Sequence, residues 1–166
     1  MNLVVIGMAR TSFLEQPGTP IAPVFAEGEP ATLEILPEYR MGLADLEGFQ
    51  RIWVLSWLHQ AEGYELKPVP YRDTVRRGLF ATRAPRRPNP IGLSCVEVES
   101  VDAERGVITV NGIDLLDGTP IIDIKPYVAQ VDAFPGSRGG WFDGSCDVRT
   151  ADARFAGGGA DAQSKR

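Results

Sequence analysis

The sequence predicts a mainly β fold: an antiparallel, β-barrel-like domain over residues 1–134 with one short helix, then a glycine-rich C-terminal tail over residues 135–166, part of it disordered. Three observations predict it. About seven or eight short runs alternate apolar and polar residues or are rich in β-branched side chains, as half-buried strands are. Turn-forming residues separate these runs at short intervals. One stretch, residues 38–46, has the composition and the boundaries of a helix. A length of 166 residues fits a single domain with a core of its own.

In chain order, residues 3–6 form the first strand, ending at Gly7. Residues 11–29 make a long irregular connection around GTPIAP, and connections of that length are uncommon unless functional or disordered. Residues 31–35 (ATLEI) alternate as a strand does. Pro37 sits where a helix can begin, residues 38–46 follow as a short helix, and Gly48 ends it. Residues 51–58 (RIWVLSWL) are the most apolar run and read as a central strand, with His59 and Gln60 at its end. Residues 65–69 and 79–82 read as further short strands. Residues 96–99 (VEVE) alternate, Glu104–Arg105–Gly106 turns the chain, and residues 107–110 return it, a hairpin that Asn111 and Gly112 break. Asp117 and Gly118 mark another turn, and residues 120–124 form the last strand. From Pro135 onward, seven glycines in 32 residues and no periodic apolar pattern read as a tail. It packs through Trp141 and Phe142 and loosens after Asp152.

Residues 77–94, RGLFATRAPRRPNPIGLS, concentrate the chemistry. Pro85, Pro88 and Pro90 each fix φ and remove a backbone donor. The stretch therefore reads as a stiff loop between strands that aims Arg83, Arg86, Arg87 and Asn89. A guanidinium fork suits carboxylate or phosphate; a stiff surface loop with solvated arginines is the other reading of the same residues. The net charge of −5 argues against general nucleic-acid binding. The charge is uneven, however. Residues 1–134 hold 12 Lys and Arg against 18 Asp and Glu, and six of those 12 fall between Arg72 and Arg87, opposed there by Asp73 alone. That makes a local basic patch, unless the arginines pair with carboxylates elsewhere in the fold.

Several chemistries are excluded. A single histidine, His59, rules out two-histidine metal centres within one chain, and no metal site is expected. The sequence has no G-x-S-x-G elbow, no Walker A loop and no strand–GxGxxG–helix unit. Cys95 and Cys146 make neither a disulfide framework nor a zinc spacing, in keeping with a reducing, cytoplasmic setting. No signal peptide or membrane span is expected. A ligand must be held by the polar strand ends, namely GTPIAP, His59–Gln60, the proline loop and DLLDGTP, which a compact β domain can bring to one rim.

Three stretches carry a resemblance to a known family: GLFATRAPRRPNPIGLS, DLLDGTPIIDIKPY and LPEYRMGLADLEGFQRIWVLSWLHQ. Over residues 1–134, the GMARTSF opening included, the chain resembles the TsaA-like, or TrmO-type, methyltransferases. The resemblance implies a β-barrel-like fold, a homodimer and S-adenosylmethionine as methyl donor. As substrate it implies tRNA carrying N6-threonylcarbamoyladenosine beside the anticodon, methylated at N6. It implies cofactor contacts at Pro20, Ile21 and Ala22 (relatives usually carry Gln in place of Ala22), at His59 and Gln60, at Arg83, at Leu93, and at Leu116, Asp117, Gly118 and Thr119. Asp123, Lys125 and Tyr127 match the family's D-I-K-P-Y element, which it places near the reacting substrate with His59. Arg72, Arg76, Arg77, Arg86, Arg87 and Asn89 are the residues expected to meet RNA. Two other readings stay open: a methyltransferase of a small molecule or another RNA, and a module that binds S-adenosylmethionine without turnover. Methyl transfer from a sulfonium is an in-line displacement whose leaving group needs no acid, so positioning and exclusion of water carry it. His59, Asp123 and a water are each chemically able to take the acceptor's proton.

Overall fold

The computed structural model describes residues 2–156. Six strands form it: β1 (Gly7–Arg10), β2 (Pro30–Ile35), β3 (Arg51–Trp57), β4 (Ile91–Asp102), β5 (Val107–Asn111) and β6 (Pro120–Pro126). They close into a barrel in the order β1-β2-β5-β4-β3-β6 and back to β1, each pair antiparallel. Closure leaves the sheet without a free edge.

That order dictates where the connections run. β1–β2, β3–β4 and β4–β5 are ring neighbours. β2 and β3 lie on opposite sides of the ring, as do β5 and β6, so those two connections must cross the ends of the barrel. Residues 36–50 cross the lower end and plug it with Leu43 and Leu46. Residues 112–119 cross the upper end and plug it with Ile113 and Leu115; all four join the core. Between the plugs, the inward residues Leu33, Ile52, Val54, Val96, Ile108, Val110 and Ile121 are sealed from solvent. The upper end is where Trp57 faces Ile91 and where Met8 faces Pro120.

The structure corrects several local expectations. The first strand begins at Gly7, where the sequence pattern ended it, and Leu3 and Val4 are exposed. Pairing starts with Ile6, whose amide donates to the Ile121 carbonyl. Gly7 permits a close approach of β2, since a Cβ there would overlap the Glu34 carbonyl oxygen and the Ile35 side chain. The helix expected over residues 38–46 is instead two 3-10 segments, Pro37–Leu43 and Leu46–Gly48. Asp45 breaks the path between them with a left-handed φ of 65°, which turns both Leu43 and Leu46 into the barrel. A short α-helix lies elsewhere, α1 at Ala129–Asp132. Neither residues 65–69 nor residues 79–82 form a strand. Pro68 and Pro70 cannot donate to a ladder; here Leu66 and Pro68 accept at 2.9 Å from the amides of Leu79 and Arg77. Leu79–Ala81 is a 3-10 turn that buries Leu79.

In the tail, Trp141 Nε1 donates to Ala81 O at 2.7 Å, and a 3-10 turn follows Asp152 at Ala153–Phe155. The rest of the stretch expected to be loose, including Gly157 to Gly159, lies outside the described residues.

Replacing Gly7 by alanine tests the close packing of β1 on β2. Overpacking at a backbone contact costs about 1–3 kcal/mol, so the Gly7→Ala chain should unfold at clearly lower urea with an unchanged slope. Wild-type stability in that variant would show that β1 and β2 have room to separate.

Candidate functional site

Three long connections leave the barrel at its upper end: residues 11–29, 58–90 and 112–119. The buried polar residues among those described, Thr19, Ser56, Thr82, Ser94 and Thr119, all lie toward this end. The lower plug is apolar, so the two ends differ chemically although the barrel is continuous between them.

The proline loop is set from within. Arg87 Nη1 donates to the carbonyls of Leu79 (3.3 Å), Thr82 (3.0 Å) and Ala84 (3.5 Å), and the Thr82 hydroxyl donates to Leu79 O at 2.8 Å. With Arg87 folded inward, Arg83 projects into solvent. It makes no hydrogen bond or ion pair with any described residue. The 112–119 crossing is tied to β1 and the loop after it. The Thr11 hydroxyl donates to Leu115 O at 2.9 Å, the Thr11 amide to Asp117 Oδ1 at 3.2 Å, the Asp117 amide to Phe13 O at 2.8 Å and the Gly118 amide to Ala9 O at 2.9 Å. Gly118 turns with φ 71° beside open space, a conformation that a side chain would strain.

Beneath this crossing lies a polar cluster. Asp114 sits between the buried Ile113 and Leu115, and Ser94 Oγ donates to its Oδ1 at 2.5 Å. Burial raises the Asp114 carboxyl above the usual aspartate range, opposed by the Ser94 hydrogen bond and by the charge of Arg83. The Ser56 hydroxyl, opposite Gly92, is fully buried and finds no partner among the described residues. Sequence reasoning passed over Asp114, Ser94 and Ser56. The available signal was the DLLD run, of which only the second aspartate was weighed.

Pro20, Ile21 and Ala22, His59 and Gln60, Arg83, and Leu116 to Thr119 all lie on the three connections that leave the upper end. Ile21 donates its amide to Arg149 O at 3.0 Å, and Ala22 caps the 3-10 turn Pro23–Phe25. His59 is exposed above β3, its ring edge-on to Trp57 at 6.5 Å between centroids. Leu93 points outward from β4, just below the rim. Leu93 faces Leu55, and Leu55 faces Asp123, so Leu93 and Asp123 share one row on the outer surface. Lys125 lies in the next row down, paired with Asp123 at 2.7 Å. Tyr127 is lower still, its ring edge-on to Trp53 at 5.7 Å. From Trp57 to the Trp53 row is about 13 Å along the strand, so one chain does not bring Lys125 and Tyr127 to His59. A cleft of about 410 Å³ against Tyr39, Leu46 and Phe49 borders Asp123 and none of the expected cofactor residues.

The arginines expected to meet RNA divide by environment. Arg72 is largely covered by the tail: its Nε donates to Ser145 Oγ at 3.1 Å, and its guanidinium lies 4.8 Å over the Phe142 ring. Arg87 holds the loop as described. Arg86 donates to Ala156 O at 3.2 Å. Arg76 pairs with Glu65 at 2.7 Å on the surface, and exposed pairs of this kind are readily exchanged for another anion. Arg77 pairs at 2.7 Å with Asp73, whose side chain is largely covered and also accepts from the Thr74 and Val75 amides. Asn89 is exposed. Among the described residues, no group of three or more His, Cys, Asp or Glu is placed to hold a metal ion, and no helix is long and apolar enough to cross a membrane.

Comparison with known proteins adds an independent line. Residues 8–133 match the model of the tRNA-methyltransferase O N-terminal domain. The chain is 39% identical over 132 residues to an S-adenosyl-L-methionine-binding protein of Archaeoglobus fulgidus, covering 80% of this chain and 93% of that one. It is 37% identical over 137 residues to the tRNA (adenine(37)-N6)-methyltransferase of Mus musculus, covering 77% of this chain and 31% of that one. The crystal structure of TrmO from Pseudomonas aeruginosa superposes with a TM-score of 0.72 at 39% identity, covering 86% of this chain and 62% of that one. The chain thus spans under a third of the mouse protein and about three fifths of the solved bacterial one.

An acid whose pKa rises on folding costs stability as pH climbs from its unfolded value through its folded one. Asp114→Asn keeps an acceptor for Ser94 and removes the charge. It should therefore be more stable than the parent at pH 7, with a gain that shrinks as pH falls from the raised folded value toward the ordinary aspartate value and is gone below it. Urea unfolding of both chains at pH 7 and below pH 4 measures this, and a variant no more stable at pH 7 would contradict burial as the cause.

Proposed function

The chain belongs to the family of the tRNA-methyltransferase O N-terminal domain, and from that premise we propose that it methylates N6 of threonylcarbamoyladenosine in tRNA, with S-adenosylmethionine as donor, as a homodimer. What supports the reading is that four segments distant in sequence, each of which the family resemblance assigns to the cofactor, lie on connections at the same end of the barrel. The residues present fit that molecule. Arg83, exposed and making no hydrogen bond or ion pair among the described residues, suits its carboxylate. Asp114 and Asp117 suit its positive centres. The open space beside Gly118 admits a ligand against the backbone, and the exposed ring of Trp57 offers an apolar face.

When bound, the sulfonium supplies the methyl group for an in-line displacement. The chain's own contribution is to hold the acceptor nitrogen in line and to keep water away. His59, exposed beside Trp57, suits the role of the acceptor's proton base, with Asp123 and water as the other candidates. Asp123, Lys125 and Tyr127 lie on the outer surface, and they would reach an acceptor through a site shared between two chains.

The outer surface supports such sharing. Leu93 is 55% exposed, Trp57 44% and Ile91 40%, and the register sets them side by side with Leu55 and Trp53. Outward faces of antiparallel sheets are ordinarily polar, and an exposed apolar patch marks a contact. A two-fold contact there repeats the site twice and puts Leu93 and Asp123 at the boundary between chains. For tRNA, the exposed Arg76 and Asn89 would meet phosphates; Arg72, Arg77, Arg86 and Arg87 are bonded to loops or tail and keep them in place instead.

Titration calorimetry should show S-adenosylmethionine binding, weakened by about 1–3 kcal/mol in Arg83→Ala if a charge-assisted hydrogen bond is lost. Labelled methyl should pass to tRNA bearing the threonylcarbamoyl group and not to the same tRNA without it. Binding with no transfer to any RNA would favour the non-catalytic module. For the dimer, Leu93→Asp should sediment as a monomer at a concentration where the parent sediments as a dimer, and a monomeric parent would remove the shared-site account.

A further inference from the structure

Residues 140–156 lie beyond the matched family span, which ends at residue 133, and they run back over the upper rim. One end of the segment holds the first cofactor loop. The Gly18 amide donates to Ala151 O at 2.8 Å, the Ala151 amide to Thr19 O at 2.7 Å and the Ile21 amide to Arg149 O at 3.0 Å, with Pro20 facing Thr150 in an antiparallel bridge. The tail thus pairs with the GTPIAP loop through one isolated antiparallel bridge. The other end holds the turn that carries Arg83: Trp141 Nε1 donates to Ala81 O at 2.7 Å, and Arg77 lies 5.5 Å over the Trp141 ring.

Cys146, between these two contacts, and Arg154 and Phe155, beyond them, join the segment to residues 70–72 of the 58–90 connection. The Cys146 amide donates to Arg72 O at 3.2 Å, Arg154 Nη1 donates to Pro70 O at 2.6 Å, and Phe155 packs edge-on to Tyr71 at 5.1 Å. The Tyr71 hydroxyl in turn accepts from Gln16 Nε2 at 2.5 Å. Burial pushes the Tyr71 phenol up to about 12, so it stays a neutral partner. Long connections without regular structure are entropically costly to hold in one arrangement. Here two of them are bonded to the same segment.

We propose that residues 140–156 are a positioning segment of the cofactor site, holding Pro20–Ile21 and the Ala81–Arg83 turn in the arrangement that binds S-adenosylmethionine. The proposal rests on the reading of the rim as that site. A ligand's apparent affinity falls with the fraction of time its site is competent, so loosening the segment weakens binding without touching any contact to the ligand.

Two variants of the full chain test it. Trp141→Phe keeps an apolar ring and removes the donor to Ala81; Ala151→Pro removes the amide that bonds Thr19. Cofactor affinity by calorimetry, the thermal midpoint, and amide hydrogen exchange at Gly18 and Ile21 are measured on all three chains. Trp141→Phe should bind about fivefold more weakly, the factor that one neutral hydrogen bond carries, with little change in midpoint. Ala151→Pro should weaken binding at least as much and exchange faster at Gly18 and Ile21. Unchanged affinity in both variants overturns the proposal, as does a lowered midpoint with affinity retained by the folded chain, which marks a purely structural tail. If the parent itself does not bind S-adenosylmethionine, the rim reading fails and the positioning proposal with it. The exchange rates then show whether the tail orders the loop at all.

Discussion

Ring closure with two connections that cross the barrel ends is the constraint on which the rest of this structure depends. With β2 opposite β3 and β5 opposite β6, residues 36–50 and 112–119 have to pass over the core, and they become its plugs. A plug must be apolar where it meets the core, which is why Leu43, Leu46, Ile113 and Leu115 are buried. The upper plug also carries Asp114, inserted between two of those residues, and Ser94 and Ser56 rise to meet it. One end of the barrel is thereby closed by an apolar plug, and the other by a plug with a buried carboxyl and two hydroxyls beneath it.

The same constraint collects the long loops. Connections of residues 11–29 and 58–90 leave from the upper end because the strands they join are ring neighbours that turn there. Neither loop has enough regular structure to hold its own shape, so each takes bonds from elsewhere. Arg87 gathers three carbonyls of the proline loop, Thr11 ties the upper plug to β1, and the tail bonds to both loops. The rim's order is thus supplied by hydrogen bonds made over long sequence separations, which leaves Arg83 and His59 projecting from a stiff support.

The strands that alternate cleanly, such as ATLEI and VEVE, were legible because one face of each meets the core and the other meets water. The Glu104–Arg105–Gly106 turn was legible for its local chemistry. The segment at residues 3–6 misled because it is continuously apolar and carries no period; register, set by the fit of Gly7 against Glu34, decided where the strand began. Residues 79–82 misled because Thr82 and Arg87 bond to carbonyls that a strand would have given to a neighbour. The expected helix became 3-10 because the crossing must present Leu43 and Leu46 on a short, bent path. In the site, the segments were legible but their clamps were not. Arg72 looked like a phosphate ligand, and its partners Ser145 and Asp147 lie over 70 residues away. Asp114 was missed because its role depends on which connection crosses the barrel, and local pattern does not encode ring order.

The central claim is that the upper rim of this barrel, and not its lower end, is where the cofactor lies. Amide chemical shifts recorded during a titration with S-adenosylmethionine test it most directly. The account predicts the largest changes at residues 19–22, 59–60, 81–83, 92–93 and 114–119, with residues 36–50 and 103–106 at the lower end essentially still. Changes centred on the lower plug, or around Tyr39 and Phe49, would contradict it.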